Sequence, residues 1–461
     1  MMRLCISSQT PPIQPLPGRL RRLKGVWRLG TDYTPNVGGV VPMMRGLLHV
    51  AVGSWVAPYP RWVALGASGI PQEVRTSEGY IVETVRLAEA SREGYARFKE
   101  TVWRSFHGPS GFDFPLRDYA GFVDYSHAMA RAMLDRADEY DLFYINDFQQ
   151  VLVGGLIGSA APALLRWHIP LDFKGYPEPV RRFFLKAMEG FDAIVVSTRA
   201  GLEELIRAGF HGRAFQIYPY VDFREFRTTS ERENQDLRAR LGLRPEHEVI
   251  LSVSRLDPVK RQDLLIDAFA LVARQHPNAR LLLVGGGSFS TQSLGSSGAR
   301  TKADLWAEKL RRQIRLREVE DSVILAGSLS NEDLQAAYST AQVFVHSAPW
   351  EGFGLVVVEA WIHKLPVVVS RGAGVAELID DEANGFTFPP SGPTVPTMAR
   401  RIAYLLDHRD VAERLGEFGS MTARRCQVQR AAPRIRDVFE RTMRLYEWSG
   451  LRPRRGISEG W

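Results

Sequence analysis

HEVILSV at 247–253, ARLLLVGG at 279–286, SVILAG at 322–327, QVFVHS at 342–347 and PVVVS at 366–370 are short apolar runs set at intervals along the second half of the chain. Between them lie segments with helical spacing: Lys260 to His276, Leu305 to Arg317, Glu332 to Ser339, one running through Val358, and a short one near Val375 to Ile379. Strands that are apolar along their whole length belong to sheets covered on both faces. A repeating strand–helix–strand pattern returns each strand parallel to the last through a right-handed crossover. The stretch therefore predicts an α/β domain with a doubly wound parallel sheet. The glycine turn at 285–287 does not complete a GxGxxG fingerprint, because Ser290 holds the third glycine position, and nicotinamide binding is disfavoured.

Working outward, YDLFYIND at 140–147, ALLRWHIP at 163–170 and FDAIVVST at 191–198 are apolar runs with β-branched or aromatic centres, which predicts a second α/β unit. The polar stretch Asp222 to Arg240 separates the halves. We expect two Rossmann-like domains, 1–221 and 222–425, with a helical segment at 426–461 packing back on the first. The chain has 461 residues, more than one ordinary core needs, and its 45% apolar and 24% charged content is that of a globular protein. Cys5 and Cys426 stand near opposite ends and form neither a disulfide framework nor a metal-ligand pattern, so no metal and a reducing cytoplasm are expected. The opening MMRLCISSQTPP lacks the apolar run of a signal peptide, and glycine and proline interrupt the longest apolar stretch, Val151 to Leu165, so no membrane span is expected.

A net charge of +7 is compatible with nucleic acid, an anionic membrane face or phosphorylated small molecules. The basic residues form neither one long tract nor an aromatic-interleaved motif, which argues against nucleic acid. Arg19, Arg21, Arg22, Lys24 and Arg28 cluster in an early loop, and a solvated loop and a phosphate contact suit that cluster equally.

Two stretches carry the chemistry. Pro349-Trp350-Glu351-Gly352-Phe353-Gly354-Leu355-Val356-Val357-Val358-Glu359 lies between a strand and a helix. Its glycines admit close approach, and N–H groups around Gly354 and Leu355 at a helix start favour an anion such as a diphosphate. Glu351 is placed to accept hydrogen bonds from sugar hydroxyls and Glu359 from a ribose; the alternative is a helix cap and a solvated helical carboxylate. Ser254-Arg255-Leu256-Asp257-Pro258-Val259-Lys260-Arg261 follows a strand, with Asp257 and Pro258 suited to an N-cap and first helical position. Lys260 and Arg261 would then stand in the first turn, where the helix dipole disfavours cations unless an anion lies between them. Arg255 and Lys260 are assigned to the donor phosphates, against the alternative of exposed surface cations.

These two stretches, with GVAELIDDEANGF at 374–386, resemble the C-terminal domain of retaining GT-B glycosyltransferases, especially family 4, over about Val249 to Pro389. The N-terminal half resembles trehalose-6-phosphate synthases at four places: Gly38-Gly39-Val40, Tyr95 through Phe98 to VWRSFHG at 102–108, Asn146-Asp147-Phe148-Gln149, and Arg166-Trp167-His168-Ile169-Pro170. The resemblance implies a GT-B architecture of two Rossmann-like domains facing across a cleft. It implies that Gly38 and Gly39 lie near the donor, that Asp147 and His168 contact the reacting sugars, and that Tyr95 and Trp103 line the acceptor site. Asp147 and His168 also stand at predicted strand ends, the usual ligand edge of such sheets. One departure matters: Ser7-Ser8-Gln9-Thr10 occupies the place where those synthases carry an Asn-Arg pair for the acceptor phosphate. Arg21, Arg22, Arg28 and Arg300 are the candidates to replace it.

What the resemblance implies is transfer of glucose, with retention, from a nucleoside-diphosphate-glucose such as UDP-glucose to glucose 6-phosphate. Arg255, Lys260, Glu351, Asp147 and His168 would carry the reaction; the nucleotide-sugar is a substrate, and no cofactor is expected. A neutral or different small acceptor is the enzymatic alternative, and a non-catalytic sugar-nucleotide sensor the alternative of another class. Glycoside hydrolysis is weaker, since no second carboxylic acid stands at a predictable spacing from Glu351. A homo-oligomer remains open.

Overall fold

A computed structural model describes residues 1–16, 25–36, 38–66, 69–107, 114–174, 176–287 and 301–448. The chain divides into two compact units, Met1–Tyr218 with the C-terminal residues from Val428, and Pro219–Gln427.

The unit 219–427 is built on a six-stranded parallel sheet. In spatial order its strands are Val323–Gly327, Ala279–Val284, Glu248–Val253, Val343–His346, Val367–Ser370 and Phe386–Phe388. Numbered along the chain this is third, second, first, fourth, fifth, sixth, so the winding direction reverses between Glu248–Val253 and Val343–His346. That reversal opens a crevice at the carboxyl ends of those two strands. Helices Gln262–Ala273, Lys302–Leu316 and Asn331–Thr340 stand where helical spacing predicts them. Leu265, Ile266 and Phe269 of the first, and Trp306 and Leu310 of the second, close over Ile250, Leu281 and Val345 of the sheet. Near Val375 the expected helix is instead a five-residue 3-10 turn, Gly374–Leu378, which ends where Ile379 becomes extended.

The other unit contains a nine-stranded sheet. Its spatial order is Ala214–Gln216, Ala193–Val196, Ala163–Trp167, Leu142–Asn146, Leu4–Ser8, Arg61–Leu65, Ile81–Val85, Glu73–Thr76 and Val26–Trp27. Only the pairing of Glu73–Thr76 with Ile81–Val85 is antiparallel. Leu4–Ser8 pairs with Arg61–Leu65 on one side and Leu142–Asn146 on the other, so this sheet also reverses direction, next to the strand that ends at Asn146. The C-terminal helix Val428–Trp448 belongs here: Phe439 meets Tyr144 at 4.9 Å and Trp55 at 6.0 Å, and the Tyr446 hydroxyl donates to the Ser159 carbonyl.

Helices Glu89–Phe106 and Leu116–Leu134 pack with their backbones nearly touching. A Cβ on Gly121 would lie 2.5 Å from both the Ser91 carbonyl oxygen and the Tyr95 nitrogen. Any side chain there must push the helices apart. Gly121→Val is accordingly expected to destabilise this unit by at least about 1–3 kcal/mol, visible as a lowered thermal unfolding midpoint; an unchanged midpoint would contradict the close approach.

Candidate functional site

In the unit 219–427, both chemical stretches leave the strands that flank the reversal. The first strand runs into Ser254-Arg255, and the fourth ends at His346 and runs into Ser347 and the Glu351 loop. Asp257 caps the first turn, its Oδ1 accepting from the Val259 N–H at 3.1 Å while Oδ2 meets Lys302 Nζ at 2.9 Å. Burial pushes that carboxyl up, but Lys302 and the Val259 N–H outweigh it and hold the group below the usual carboxylate range. The turn is a single 3-10 turn, Pro258–Lys260, closed by Arg261 in the left-handed region at φ 49°, and the α-helix begins only at Gln262. The expectation that Lys260 and Arg261 occupy the first α-helical turn is therefore corrected. Lys260 is held by a carboxylate instead, and Arg261 pairs with Asp263 at 3.0 Å.

Lys260 is 8% exposed. Its Nζ is ion-paired with Glu351 Oε2, and its carbonyl accepts from Ser347 Oγ at 2.8 Å. Glu351 is anchored by its backbone: its N–H donates to the Gly372 carbonyl at 3.3 Å, and its carbonyl accepts from the Gly374 N–H at 3.0 Å. Gly352 and Phe353 are buried, and the Phe353 carbonyl accepts from Val375. Gly354 adopts φ 100°, which glycine tolerates best, and it opens the helix Leu355–Ile362 without a side-chain cap. The first N–H groups of that helix are thus available to an anion. Arg255 is half-buried on the facing loop, its carbonyl bonded to Gln262 Nε2 at 2.8 Å.

Glu359 lies one turn further along the same helix, its Oε2 accepting from the buried Tyr338 hydroxyl at 2.9 Å. Burial, opposed by that hydrogen bond and reinforced by Glu225, raises its pKa above the usual value. Tyr338 is itself clamped against His363, the rings parallel within 7°. This places Glu351 and Glu359 on opposite sides of the Gly354 turn, each held by a different partner.

In the other unit, Asp147 follows the strand Leu142–Asn146 at φ 77°, ψ 166°, a backbone region nearly reserved for glycine. Its N–H donates to the Arg166 carbonyl at 2.7 Å, and its Oδ1 accepts from the Phe148 N–H at 2.9 Å and the His168 N–H at 3.3 Å. Such strain costs about 1–3 kcal/mol and persists where its surroundings over-determine it, as they do here. His168 Nε2 meets Asn146 Oδ1 at 3.1 Å, and the Asn146 amide donates to the Ser7 and Tyr144 carbonyls. Since that amide is committed as a donor, its oxygen must accept, which fixes the proton of a neutral His168 on Nε2. Burial, with Arg166 nearby, lowers the His168 pKa well below the ordinary value.

The remaining residues divide. Trp103 is half-buried against His107 and Phe148, beside Asp147. Tyr95, expected to line an acceptor site, is 0% exposed and stacks on Tyr125 at 4.2 Å. It backs Asp147 from within the core rather than facing a substrate. Gly38 and Gly39 are exposed at the start of the helix Val40–Ala51. Ser7 donates to Gln150, and Ser8 takes part in bonds with Trp62 and the Thr10 carbonyl. Arg19, Arg21, Arg22, Lys24 and Arg300 lie outside the described residues, and Arg28 is exposed. Among the described residues no cluster of His, Cys, Asp or Glu suits a metal ion, and no helix is long and apolar enough to cross a membrane. Sequence reasoning missed His346 and Tyr338, and gave Asn146 no role of its own within its landmark. Asn146 and His346 end strands at the reversal points, and their place at a strand's carboxyl end is a signal that the strand pattern carries.

Residues 233–421 match the family model for glycosyl transferases group 1. The chain is 29% identical over 360 residues to a D-inositol 3-phosphate glycosyltransferase of Kineococcus radiotolerans, covering 72% of this chain and 77% of that protein. Its fold is similar to that of a trehalose-phosphate synthase (UDP-forming) of Burkholderia xenovorans solved with glucose-6-phosphate, at TM-score 0.72, 18% identity, and coverage of 96% and 100% of the two chains. It is also similar to that of Anabaena HepE solved with UDP and glucose, at TM-score 0.66, 19% identity, and coverage of 96% and 100%. Both units are wound as largely parallel sheets in the GT-B manner of those solved structures, and the two chemical stretches on the crevice of the second lie within residues 233–421, the segment that matches the glycosyl transferases group 1 model.

Proposed function

We propose that the chain is a retaining glucosyltransferase that moves glucose from a nucleoside-diphosphate-glucose to glucose 6-phosphate, forming trehalose 6-phosphate. The observation that carries the donor half is the Lys260–Glu351 pair at the crevice, beside an uncapped helix N-terminus. A diphosphate suits the ammonium and the helix N–H groups, and a hexose presents hydroxyls to the carboxylate. Arg255 supplies a further cation on the facing loop, and Glu359, steadied by Tyr338, is the candidate acceptor for ribose hydroxyls.

In the transfer, the bond from C1 of the donor sugar to the phosphate oxygen breaks, and its electron pair leaves on the nucleoside diphosphate. The acceptor oxygen bonds to C1 on the same face, and its proton passes to the departing phosphate. Lys260 and the helix N-terminus stabilise the charge that develops there. His168, neutral with its proton on Nε2, offers Nδ1 as a hydrogen-bond acceptor to a sugar hydroxyl, and Asp147 accepts from another. Both act by orientation.

Glucose 6-phosphate is supported by the sequence landmarks and by the fold of the synthase solved with that sugar. A different small acceptor, glucose itself or an inositol phosphate, is favoured by one specific observation: the end of the first strand and the turn that follows it, Ser7-Ser8-Gln9-Thr10, are uncharged and largely bonded to their own surroundings. The D-inositol 3-phosphate glycosyltransferase relative points the same way. A matrix of UDP-, GDP- and ADP-glucose against glucose 6-phosphate, glucose and inositol 1- and 3-phosphates, with products identified by mass and anomeric NMR, separates these. Trehalose 6-phosphate is the expected product. Its absence with turnover on another acceptor overturns the acceptor assignment, and donor binding without any turnover favours the sensor.

Lys260→Ala is expected to lower kcat/KM for the donor by about 100-fold or more while leaving the acceptor KM within a few-fold, and Asp147→Ala to show the opposite bias. Equal effects on both substrates would contradict the placement of the two sites. Because His168 is held neutral, the profile of kcat/KM for the acceptor between about pH 6 and about pH 8 should show no inflection that His168→Gln removes. An inflection near the ordinary histidine pKa, lost in that variant, would show that the imidazole titrates during turnover.

A further inference from the structure

His346 ends the fourth strand of the unit 219–427, directly at the reversal point, and no role has yet been given to it. It is 3% exposed. Its Nε2 is buried and has no hydrogen-bond partner. That atom lies 3.7 Å from Glu351 Oε2, beyond hydrogen-bond length, and a Cβ on Gly354 would stand 3.5 Å from it. The imidazole therefore sits beside the glycine turn with its buried, unbonded Nε2 near the carboxylate oxygen that Lys260 holds.

A buried polar atom without a partner is rare enough to require an explanation. The charged groups facing it are Lys260 and Glu351. Burial is the main influence on the ring and Glu351 opposes it; the pKa is lowered to about 4, so the imidazole is neutral and can carry its proton on Nε2. A diphosphate that draws on the three N–H donors of that ammonium weakens its hold on the carboxylate oxygen. At that moment Glu351 needs another donor, and His346 is within an ångström of supplying it.

We propose that His346 is the positioning residue that takes over Glu351 when the donor binds: as the diphosphate draws Lys260 off, Nε2–H of His346 closes onto Oε2 and keeps the carboxylate aimed at the sugar hydroxyls. This rests on the donor-site function proposed above. It implies that His346 contributes to recognition of the sugar and not to recognition of the nucleoside diphosphate, because only the sugar is read by Glu351.

The test is the sugar increment, the ratio of Kd for UDP to Kd for UDP-glucose by calorimetry, with the GDP and ADP pairs run alongside. The pair that the unmodified protein binds is the one used. His346→Leu should cut that ratio about tenfold, the worth of one hydrogen bond to a charged group, while leaving Kd for the bare nucleoside diphosphate within about twofold. His346→Gln, which places an amide N–H near the same point, should recover most of the ratio. Nucleoside-diphosphate binding serves as the folding control for both variants. An unchanged ratio, or equal losses for the diphosphate and the diphosphate-sugar, overturns the role of His346 and leaves the donor site standing. If the unmodified protein binds none of the three pairs, the donor-site function fails and this role falls with it.

Discussion

A lysine ammonium and a glutamate carboxylate, paired where a parallel sheet reverses its winding, are the constraint around which the unit 219–427 is organised. Lys260 and Glu351 are both largely buried, and each is carried on a loop leaving one of the two strands that flank the reversal. Removing one member of such a pair costs about 3–5 kcal/mol, because the other charge is then left without compensation in a poorly solvated place. A ligand that draws the cation away therefore favours a second partner for the anion. The crevice supplies both requirements, an uncapped helix N-terminus for the ligand's charge and the imidazole of His346 beneath the carboxylate.

The surroundings of the pair are arranged to hold it still. Asp257 and Lys302 fix the turn that carries Lys260, and Ser347 Oγ binds the Lys260 carbonyl from the opposite loop. Glu351 is pinned through its own N–H and carbonyl to the 372–374 segment. In the other unit the arrangement differs in kind. Asp147 is fixed by a strained backbone, by two hydrogen bonds that tie it to the neighbouring strand segment at Arg166 and His168, and by a third from the Phe148 N–H, and His168 is oriented by an asparagine whose amide is committed elsewhere. Charge pairing holds one cluster and backbone geometry holds the other, and the proposed division between recognising a charged donor and orienting neutral hydroxyls rests on that difference.

The parallel strands and most of their helices were legible in the sequence because most of the apolar runs are buried along their length, the edge strand Val323–Gly327 being the exception, and helices such as Lys302–Leu316 carry an apolar stripe. Spatial strand order was not legible, since it depends on which crossovers reverse. Only the order shows that HEVILSV and QVFVHS lie side by side and bring Lys260 to Glu351. The segment after Pro258 misled: an Asp-Pro start signals a helix, but Arg261 enters the left-handed region and restarts the chain at Gln262. Tyr95 misled for another reason. An aromatic residue has the same appearance in sequence whether it faces a ligand or a core, and Gly121 brings the next helix close enough to put it in the core. His346 passed unnoticed inside an apolar strand because its significance comes from an oxygen five residues later in the chain that the fold brings to 3.7 Å.

The most direct measurement is a crystal structure of the protein with its nucleoside-diphosphate-glucose bound. The account predicts Lys260 Nζ on the diphosphate, the helix N–H groups at Leu355 turned to the same anion, and Glu351 on the sugar hydroxyls with His346 Nε2 at hydrogen-bond distance. A donor bound elsewhere, or one bound in the crevice with Lys260 still paired to Glu351, would contradict it.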